Sequence, residues 1–434
     1  MNAKAEKGGF GSNPSRVEAS DYASNRLVHC QFGTFDVDNY GDLLYPILLG
    51  KMLEARSETG DPRKFSLMGS ESLLGAGYGS SPIQGLLSVR RGQNHALAIG
   101  GGDLLRTDAL RVASHYESVC SRRTELPVPF SWRRLFRRLR HRPEGPDRRF
   151  WFRYMNYPAV GPFIIDPDKF PNIDRVSYIS VGVPFAFQQK VNRRVARAMD
   201  KAGFIYVRDR QSERKLRDAG VTREIQVAPD LAVMLGEFFD ATAGRAKGRL
   251  FLGTKGVDTN KRILCVQSNP QPPESRSALV QQLTAYKAAT KCEVILLPLG
   301  LCHGDNVFLS ELAQTSRGSF RYLELNSIFE MMSVIAASDV FLGTSLHGNI
   351  TAFAFGIPHV IGPVAADKCE GFLDIANLPP ELKLKSWEET NARLDFAVGS
   401  GGAYFQDRAV AARKRVNDVF DLMVRAVLGQ EKIP

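Results

Sequence analysis

The 434-residue sequence has no long apolar run, and it nowhere approaches the roughly 18 consecutive apolar residues of a membrane-spanning helix. Residues 1–15 are polar and glycine-rich and lack the apolar core of a secretory signal, so we expect a cytoplasmic protein with a disordered segment over 1–26. Six cysteines are present, but none forms a CxxC pair, and several lie in apolar runs where cysteine packs as a small hydrophobic residue. These absences exclude a helical transmembrane protein, a disulfide scaffold and a zinc finger.

Signatures of cofactor and metal binding are also missing. Gly75, Gly77 and Gly79 do not have the G-x-G-x-x-G spacing of a dinucleotide site, and no Walker-type phosphate loop occurs. Cys302 and His303 are adjacent, which is not the spacing of metal ligands in a finger, and no second pair follows. The sequence therefore predicts neither an NAD enzyme nor a P-loop enzyme, and it predicts no cofactor and no metal.

Acidic residues are scarce in one segment of an otherwise balanced chain. Of the formal net charge of +11, eight charges come from residues 122–153, which hold eleven arginines, no lysine and three acids. A charge excess confined to one segment argues against a nucleic-acid-binding surface.

Within this insert, apolar residues recur at helical spacing with arginines on the opposite face, which is typical of a helix that lies on an anionic membrane surface. The helix predicted to contact the membrane contains Trp132, Arg133, Arg134, Leu135, Phe136, Arg137, Arg138 and Leu139. A mobile loop and a helix that docks on a partner protein are the alternatives.

From residue 27 onward, short apolar runs alternate with amphipathic stretches, which is the pattern of βα units around a parallel sheet. A segment rich in Gly, Ala, Lys and Thr interrupts this alternation and suits an interdomain linker. We therefore predict an α/β fold with two Rossmann-like domains whose parallel sheets face a central cleft. The predicted divisions are the disordered lead (1–26), a first domain (27–240) with the arginine-rich insert (122–153), a linker (241–260), and a second domain with a closing helix (261–434).

Ligands of open α/β sheets bind at the carboxyl ends of strands, so the loops that leave the predicted strands are the candidate sites. Residues 339–343 read as a buried strand, followed by a tight turn and a helix that ends at Gly356. Thr344 or Ser345 is expected to cap this helix. Its free N–H groups and positive end then form an anion site, where His347 can add a proton or a charge. A purely structural role in the first turn is the alternative for this histidine.

Arg208 ends the predicted strand over residues 204–208, and its guanidinium suits a carboxylate or a phosphate. Asp209 is well placed to cap the next helix. A surface arginine paired with its neighbour is the alternative.

The loop after the first strand brings Asn39, Gly41 and Asp42 toward the same edge. We expect Asp42 to cap the following helix, a position from which a carboxylate can also act as a base. Gly100–Gly102 and Asp103 end another strand, where glycines permit the close approach of a ligand or of another backbone.

Five motifs together resemble the polysaccharide pyruvyltransferase family in residue type, order and spacing. The motifs are Asn39-x-Gly41-Asp42, Gly100–Gly102, Val207-Arg208-Asp209 with Ser212, Pro229-Asp230, and Ser345-Leu346-His347-Gly348. The resemblance covers roughly residues 27–373, and its most specific part is the Leu-His-Gly turn followed by residues 352–358. It implies a fold like that of GT-B glycosyltransferases. It also implies transfer of the pyruvyl group of phosphoenolpyruvate to two hydroxyls of a sugar, in a polysaccharide or a lipid-linked oligosaccharide, to form a cyclic ketal.

In that family the Arg of the Arg-Asp motif and the His of the Leu-His-Gly motif contact the donor, which implies this role for Arg208 and His347. Many members have Arg directly before Leu-His, where this chain has Ser345, so Arg210 or Lys368 is expected to supply the missing charge. Leu346 and Gly348 complete the implied donor site. The implied acceptor side or cleft comprises Asn39, Gly41, Gly101, Gly102 and Asp103.

Ketal formation requires a proton for the methylene carbon, stabilisation of a cationic C2, a base for the hydroxyl and release of phosphate. The hypothesis is that His347 holds or protonates the donor, Arg208 grips it, and Asp42 is the base toward the acceptor. Two alternatives use the same fold. One is a glycosyltransferase that uses a nucleotide sugar, and the other is a non-catalytic scaffold recruited to the membrane by the arginine-rich helix.

Overall fold

The computed structural model describes residues 28–56, 62–88, 95–106, 160–170, 172–364 and 367–428. The predicted disordered lead (1–26) and the membrane helix over residues 132–139 lie outside the described residues. Within the described ranges, no helix combines the length and the apolar character needed to cross a bilayer.

The first sheet has seven parallel strands in the order β3-β2-β1-β4-β5-β6-β7. The strands are β1 (Val28–Phe32), β2 (Arg63–Ser66), β3 (Ser81–Pro82), β4 (His95–Gly100), β5 (Ile173–Val181), β6 (Phe204–Val207) and β7 (Gln226–Val227). Among the described residues, the helices between these strands are α1 (Tyr40–Glu54), α2 (Ile83–Ser88), α3 (Gln189–Asp200) and α4 (Arg210–Asp218), and the short α5 (Leu235–Phe238) follows β7.

The second sheet has five parallel strands in the order β10-β9-β8-β11-β12. They are β8 (Ile263–Gln267), β9 (Glu293–Leu296), β10 (Arg321–Tyr322), β11 (Val340–Gly343) and β12 (His359–Ile361). The helices of this half are α6 (Ala241–Thr254), α7 (Pro273–Thr290), α8 (Asp305–Thr315), α9 (Ile328–Ala337), α10 (Leu346–Ala354), α11 (Asp367–Ile375) and α12 (Thr390–Leu428). Every residue of β8 and β11 is buried, as expected for strands covered on both faces.

Both sheets reverse their strand order once, between β1 and β4 and between β8 and β11. Loops that leave the strands on either side of such a point diverge and leave a crevice at the carboxyl edge of the sheet. The predicted α/β class with two Rossmann-like halves is confirmed, and the two crevices define where the site lies.

The segment predicted as a linker contains α6, which packs on α9 of the second half. A Cβ added at Gly248 would lie 2.1 Å from the carbonyl oxygen of Ser333, so the two helices approach each other closely at this point. The small residues of this segment therefore serve helix packing, which composition alone does not distinguish from a flexible connection.

Three backbone contacts join the two halves beside the crevice. Tyr40 N–H donates to the carbonyl of Leu299 at 2.9 Å, Cys302 N–H donates to that of Asp38 at 3.2 Å, and Asn39 pairs with Gly300 as an antiparallel bridge. α1 packs into the core cluster that also contains the strands of the second sheet. The halves thus share one core beside the cleft.

The C-terminal helix α12 returns from the second half to the first. Arg56 at the end of α1 contacts Asp421 at 2.5 Å and Asn417 at 2.6 Å, and Arg175 of β5 donates to the carbonyl of Val427. The helix changes direction at Gly401, whose φ of 77° is left-handed.

Candidate active site

A cavity of about 530 Å³ lies between the carboxyl edges of the two sheets. Its walls come from the loops after β1, β4 and β6 on one side and from those after β8, β9 and β11 on the other. Loops from both sheet switch points therefore meet around a single space, which is where an open α/β sheet binds its ligand.

The second half contributes the start of α10. Ser345 caps this helix, since its hydroxyl accepts a hydrogen bond from Gly348 N–H at 3.2 Å, and this confirms one of the two predicted caps. Ser345, Leu346 and His347 all line the cavity. The positive end of the helix dipole is consequently directed at the cavity, where it favours an anion.

His347 is held between the two halves of the chain. A Cβ added at Gly41 would lie only 1.9 Å from its Nδ1, so the imidazole packs directly on the first turn of α1. On the other side, Nε2 lies 3.7 Å from Oδ2 of Asp230, whose other oxygen accepts from Ala232 N–H at 2.9 Å. The ring is therefore fixed by a glycine backbone and by an anchored carboxylate.

Asp42 lines the cavity beside His347, but the prediction that it caps α1 is wrong. The helix begins at Tyr40, because the backbone contacts with Leu299 and Gly300 order the chain before Asp42 is reached. Asp42 instead lies in the first turn and accepts a hydrogen bond from the side chain of Asn39 at 2.9 Å. Burial raises the pKa of this carboxyl, with His347 opposing the shift, and a raised pKa suits a general base.

Arg208 lies at the floor of the cavity and is almost entirely buried. Its guanidinium contacts Asp103, Asp230 at 3.4 Å and Asp209 at 3.8 Å. Asp209 also caps α4 through Ser212 N–H at 2.6 Å, as predicted. One buried cation is thus surrounded by three carboxylates.

The structure distinguishes the two cations expected to replace the missing arginine. Lys368 lines the cavity, with 37% of its side chain exposed and Nζ 3.4 Å from Oδ2 of Asp103. Arg210 is not among the lining residues, and it lies 3.8 Å from Asp374 with 64% of its side chain exposed. Lys368 is therefore the candidate donor contact of the pair.

The other predicted site residues divide into lining and supporting positions. Asn39, Gly102 and Asp103 line the cavity. Gly41, Gly101 and Gly348 do not line it, and side chains added there would contact His347, Tyr45 and Phe341 respectively. These three glycines let other groups pack closely beneath the site.

Sequence reasoning missed a buried relay in the second half. Gln267, the last residue of β8, accepts from Ser345 N–H at 2.7 Å and donates to Asp305 at 2.7 Å. The same carboxylate oxygen accepts from Gly300 N–H at 2.8 Å, and burial raises the pKa of Asp305 to about 6. A polar residue at the end of an apolar strand was the available signal for Gln267. Asp230 belongs to the Pro229-Asp230 motif, but the sequence did not predict it as a site residue.

Among the described residues, no group of three or more His, Cys, Asp and Glu side chains is arranged to hold a metal ion. The ionisable groups that surround the cavity are Asp42, Asp103, Arg106, Arg208, Cys302, His303, Asp305, His347 and Lys368.

Comparison with solved structures shows an overall likeness at low sequence identity. UDP-GlcNAc 2-epimerase from Neisseria meningitidis aligns with a TM-score of 0.51 and 11% identity, over 93% of this chain and 100% of that one. A putative UDP-N-acetylglucosamine 2-epimerase from Listeria monocytogenes aligns with a TM-score of 0.51 and 9% identity, over 94% of this chain and 98% of that one. The N-terminal domain of trehalose-6-phosphate phosphatase from Candida albicans aligns with a TM-score of 0.50 and 11% identity, over 97% of this chain and 99% of that one. A comparison with curated protein sequences finds no match.

The fold and the cleft together define an α/β protein of the GT-B type. The model of the polysaccharide pyruvyl transferase family matches residues 39–361, from the residue before α1 to the end of β12. The chain belongs to this family of transferases, and the resemblance inferred from the five motifs is confirmed.

Proposed function

We propose that this protein transfers the pyruvyl group of phosphoenolpyruvate to two hydroxyls of one sugar residue and forms a cyclic ketal. The observation that carries the proposal is the meeting of two groups from opposite halves of the chain. Asp42 on α1 and His347 on α10 line the same cavity, and the residue before Asp42 packs on the imidazole. An acid and a base side by side are what this reaction requires.

The proposed reaction begins when His347 gives a proton to the methylene carbon of the donor. Positive charge then develops at C2, and a sugar hydroxyl attacks this carbon while Asp42 accepts the hydroxyl proton. The C2–O bond to phosphate breaks, and the second hydroxyl closes the ketal ring. His347 takes back a proton from the second hydroxyl, and Asp42 passes the proton it accepted to the departing phosphate. The methyl group has then gained one proton and the phosphate the other, and both side chains return to their starting states.

The charges of the cavity support an anionic donor. Lys368 and the positive end of α10 face the space from the second half, where they can bind phosphate or carboxylate oxygens. The raised pKa of Asp42 makes its carboxylate a stronger proton acceptor than an ordinary aspartate.

Ligand-dependent thermal stability tests the donor. A ligand that binds only the native state raises the melting temperature, so phosphoenolpyruvate should stabilise the protein while UDP- and GDP-sugars should not. The opposite result would favour a nucleotide-sugar glycosyltransferase. Phosphate release measured with free and lipid-linked glycans then identifies the acceptor class, and an absence of release across the panel would favour a non-catalytic scaffold.

The role of His347 is tested by His347→Ala. We expect turnover to fall by about 10² to 10⁴, the usual contribution of a general acid, while the melting curve keeps a single cooperative transition. Arg214→Ala, on an exposed part of α4, is the control that should retain normal turnover. Near-normal turnover in His347→Ala would refute the assignment.

A further inference from the structure

Arg208 has little surface with which to meet a ligand. Only 3% of its side chain is exposed, and carboxylates of Asp103, Asp209 and Asp230 face its three nitrogens. A Cβ added at Gly182 would lie 2.8 Å from Nη2 and 2.9 Å from Nε, so this backbone covers the group as well. A donor carboxylate would compete with these acids for the Nη groups, and Nε, which makes no hydrogen bond among the described residues, is covered by the Gly182 backbone.

The local charge also opposes a direct contact with an anion. One guanidinium faces three carboxylates, and lowered pKa values indicate that Asp103 and Asp230 are ionised. Burial alone would raise the pKa of Asp103, but Arg208 and Lys368 outweigh it and hold the value well below the ordinary range. Burial acts in the same way on Asp230, where His347 and Arg208 lower the pKa below its usual value. The carboxylates that contact Arg208 therefore compensate its charge fully, and the positive charge open to an anion is that of Lys368.

Two of the three acids contact both Arg208 and a residue that lines the cavity. Asp230 places the same oxygen, Oδ2, 3.4 Å from Nη1 of Arg208 and 3.7 Å from Nε2 of His347. Asp103 binds Arg208 through Oδ1 and places Oδ2 3.4 Å from Nζ of Lys368. Each carboxylate thus bridges the buried arginine and one cavity-lining group.

We propose that Arg208 is a positioning residue, which holds Asp230 against His347 and Asp103 against Lys368, and that Lys368 is the side-chain cation that meets the anionic donor. This inference rests on the proposed function, and it departs from the direct donor contact that the family resemblance implies for Arg208. One buried cation thereby sets the places of the proton donor and of the donor-binding lysine.

The coupling between Arg208 and His347 can be measured without any donor. Selective ¹³C labelling of histidine Cε1 gives one signal for each of the seven histidines, and His347→Ala assigns the signal of interest. In the ligand-free protein, both Arg208→Lys and Asp230→Asn should move the His347 signal. Asp374→Asn, which alters the exposed pair with Arg210, is the matched control and should leave it in place. A His347 signal unmoved by Arg208→Lys and Asp230→Asn would overturn the proposal.

Arg208→Lys keeps a buried positive charge, and its melting curve shows whether the variant is folded. Should it fail to fold, Asp230→Asn tests the same link from the other end. Because these spectra require no ligand, they judge the positioning role independently of whether the protein binds phosphoenolpyruvate.

Measurements of donor affinity and of turnover then distinguish the role of Lys368 from that of Arg208. By calorimetry, Lys368→Met should raise the Kd of phosphoenolpyruvate about tenfold or more, and Arg208→Lys should raise it by less than Lys368→Met does, because it acts on the donor only through Asp103 and Lys368. In an Asp230→Asn background, Arg208→Lys should lower kcat by less than about a further threefold, since both changes break one link. A rise in Kd for Arg208→Lys that equals or exceeds that for Lys368→Met, or effects on kcat that simply multiply, would overturn the proposal. If the wild-type protein binds no phosphoenolpyruvate, the proposed function fails and the spectra still decide the coupling.

Discussion

The imidazole of His347 packs on a stretch of backbone that carries no side chain, and this contact makes Gly41 a sensitive position. Gly41→Ala would place a Cβ 1.9 Å from Nδ1, so either the ring or the start of α1 must move. A displacement of about 1 Å in a catalytic group can cost about 10²-fold in rate, so we expect kcat to fall by about this factor. Phosphate release measures the effect. Gly399→Ala in α12, where an added Cβ meets nothing within 4 Å, should leave kcat unchanged, and equal behaviour of the two variants would contradict the contact.

Asp305 makes stability depend on pH in an unusual direction. Its pKa rises from 3.8 to about 6 on folding, so the folded state favours the protonated acid. The stability that this preference contributes is complete below pH 4 and is lost as pH rises through 6. We expect Asp305→Asn, which cannot ionise, to unfold with a free energy on the order of 2 kcal/mol above wild type at pH 8 and close to it at pH 4. Urea denaturation at both pH values measures the difference, with Asp218→Asn on the surface as control. A gain independent of pH would show that ionisation is not the cause.

The sequence predicts which individual side chains reach the cleft better than it predicts their partners. Strand-end positions led to Arg208 and His347 as candidates, and both residues line the cavity. They do not reveal that Arg208 binds Asp103, which lies 105 residues earlier in the chain, because such a pairing depends on the order of strands in the folded sheet. The cap assigned to Asp42 failed for a similar reason, since the contacts that start α1 at Tyr40 come from the distant residues Leu299 and Gly300.

At the scale of elements, strands were predictable where both of their faces are buried, because such strands read as uninterrupted apolar runs. The two-residue strand β3 was missed, since both of its residues are exposed and carry no such pattern. α6 was predicted as a linker because glycines are typical of flexible connections as well as of closely packed helices. Only the position of α9 against α6 distinguishes the two.

The close approach of α6 and α9 predicts an inverted effect of alanine. Alanine normally stabilises a helix relative to glycine by about 1 kcal/mol. At Gly248, however, a Cβ would meet the backbone of Ser333 at 2.1 Å, so we expect Gly248→Ala to destabilise the fold by about 1–3 kcal/mol. Gly253→Ala in the same helix, with open space around the added Cβ, should be neutral or stabilising. Thermal denaturation compares the two, and a stabilising Gly248→Ala would show that the helices lie further apart.

At the scale of the whole molecule, the arginine-rich insert makes a prediction of its own. If residues 132–139 form a helix on an anionic membrane, the intact protein should float with vesicles that contain phosphatidylglycerol and not with vesicles of phosphatidylcholine alone. A variant without residues 133–142 should remain at the bottom of the gradient with both kinds of vesicle. Binding that survives this deletion, or no binding of the intact protein, would contradict the assignment. A membrane-bound enzyme of this kind would suit a lipid-linked acceptor.

The two-domain plan was predictable from the alternation of strands and helices, but the junction between the halves was not. α1 buries ten of its fifteen residues, because it is covered both by its own sheet and by the second half. A helix enclosed in this way gives no amphipathic signal for the partner on its far side.

The shared position of α1 sets a limit on how this protein can be recombined. A chimera joined between the two Rossmann-like halves would place the first-half helix of one parent against the packing surface of another, and the backbone pairing of Asn39 with Gly300 would depend on two foreign loops. A graft that keeps the paired surfaces intact must therefore carry α1 together with the loop after β9 and with α9 and α10, the second-half helices on which α1 packs. Each half has its own sheet, but the two halves cannot be exchanged independently because their packing surfaces are shared.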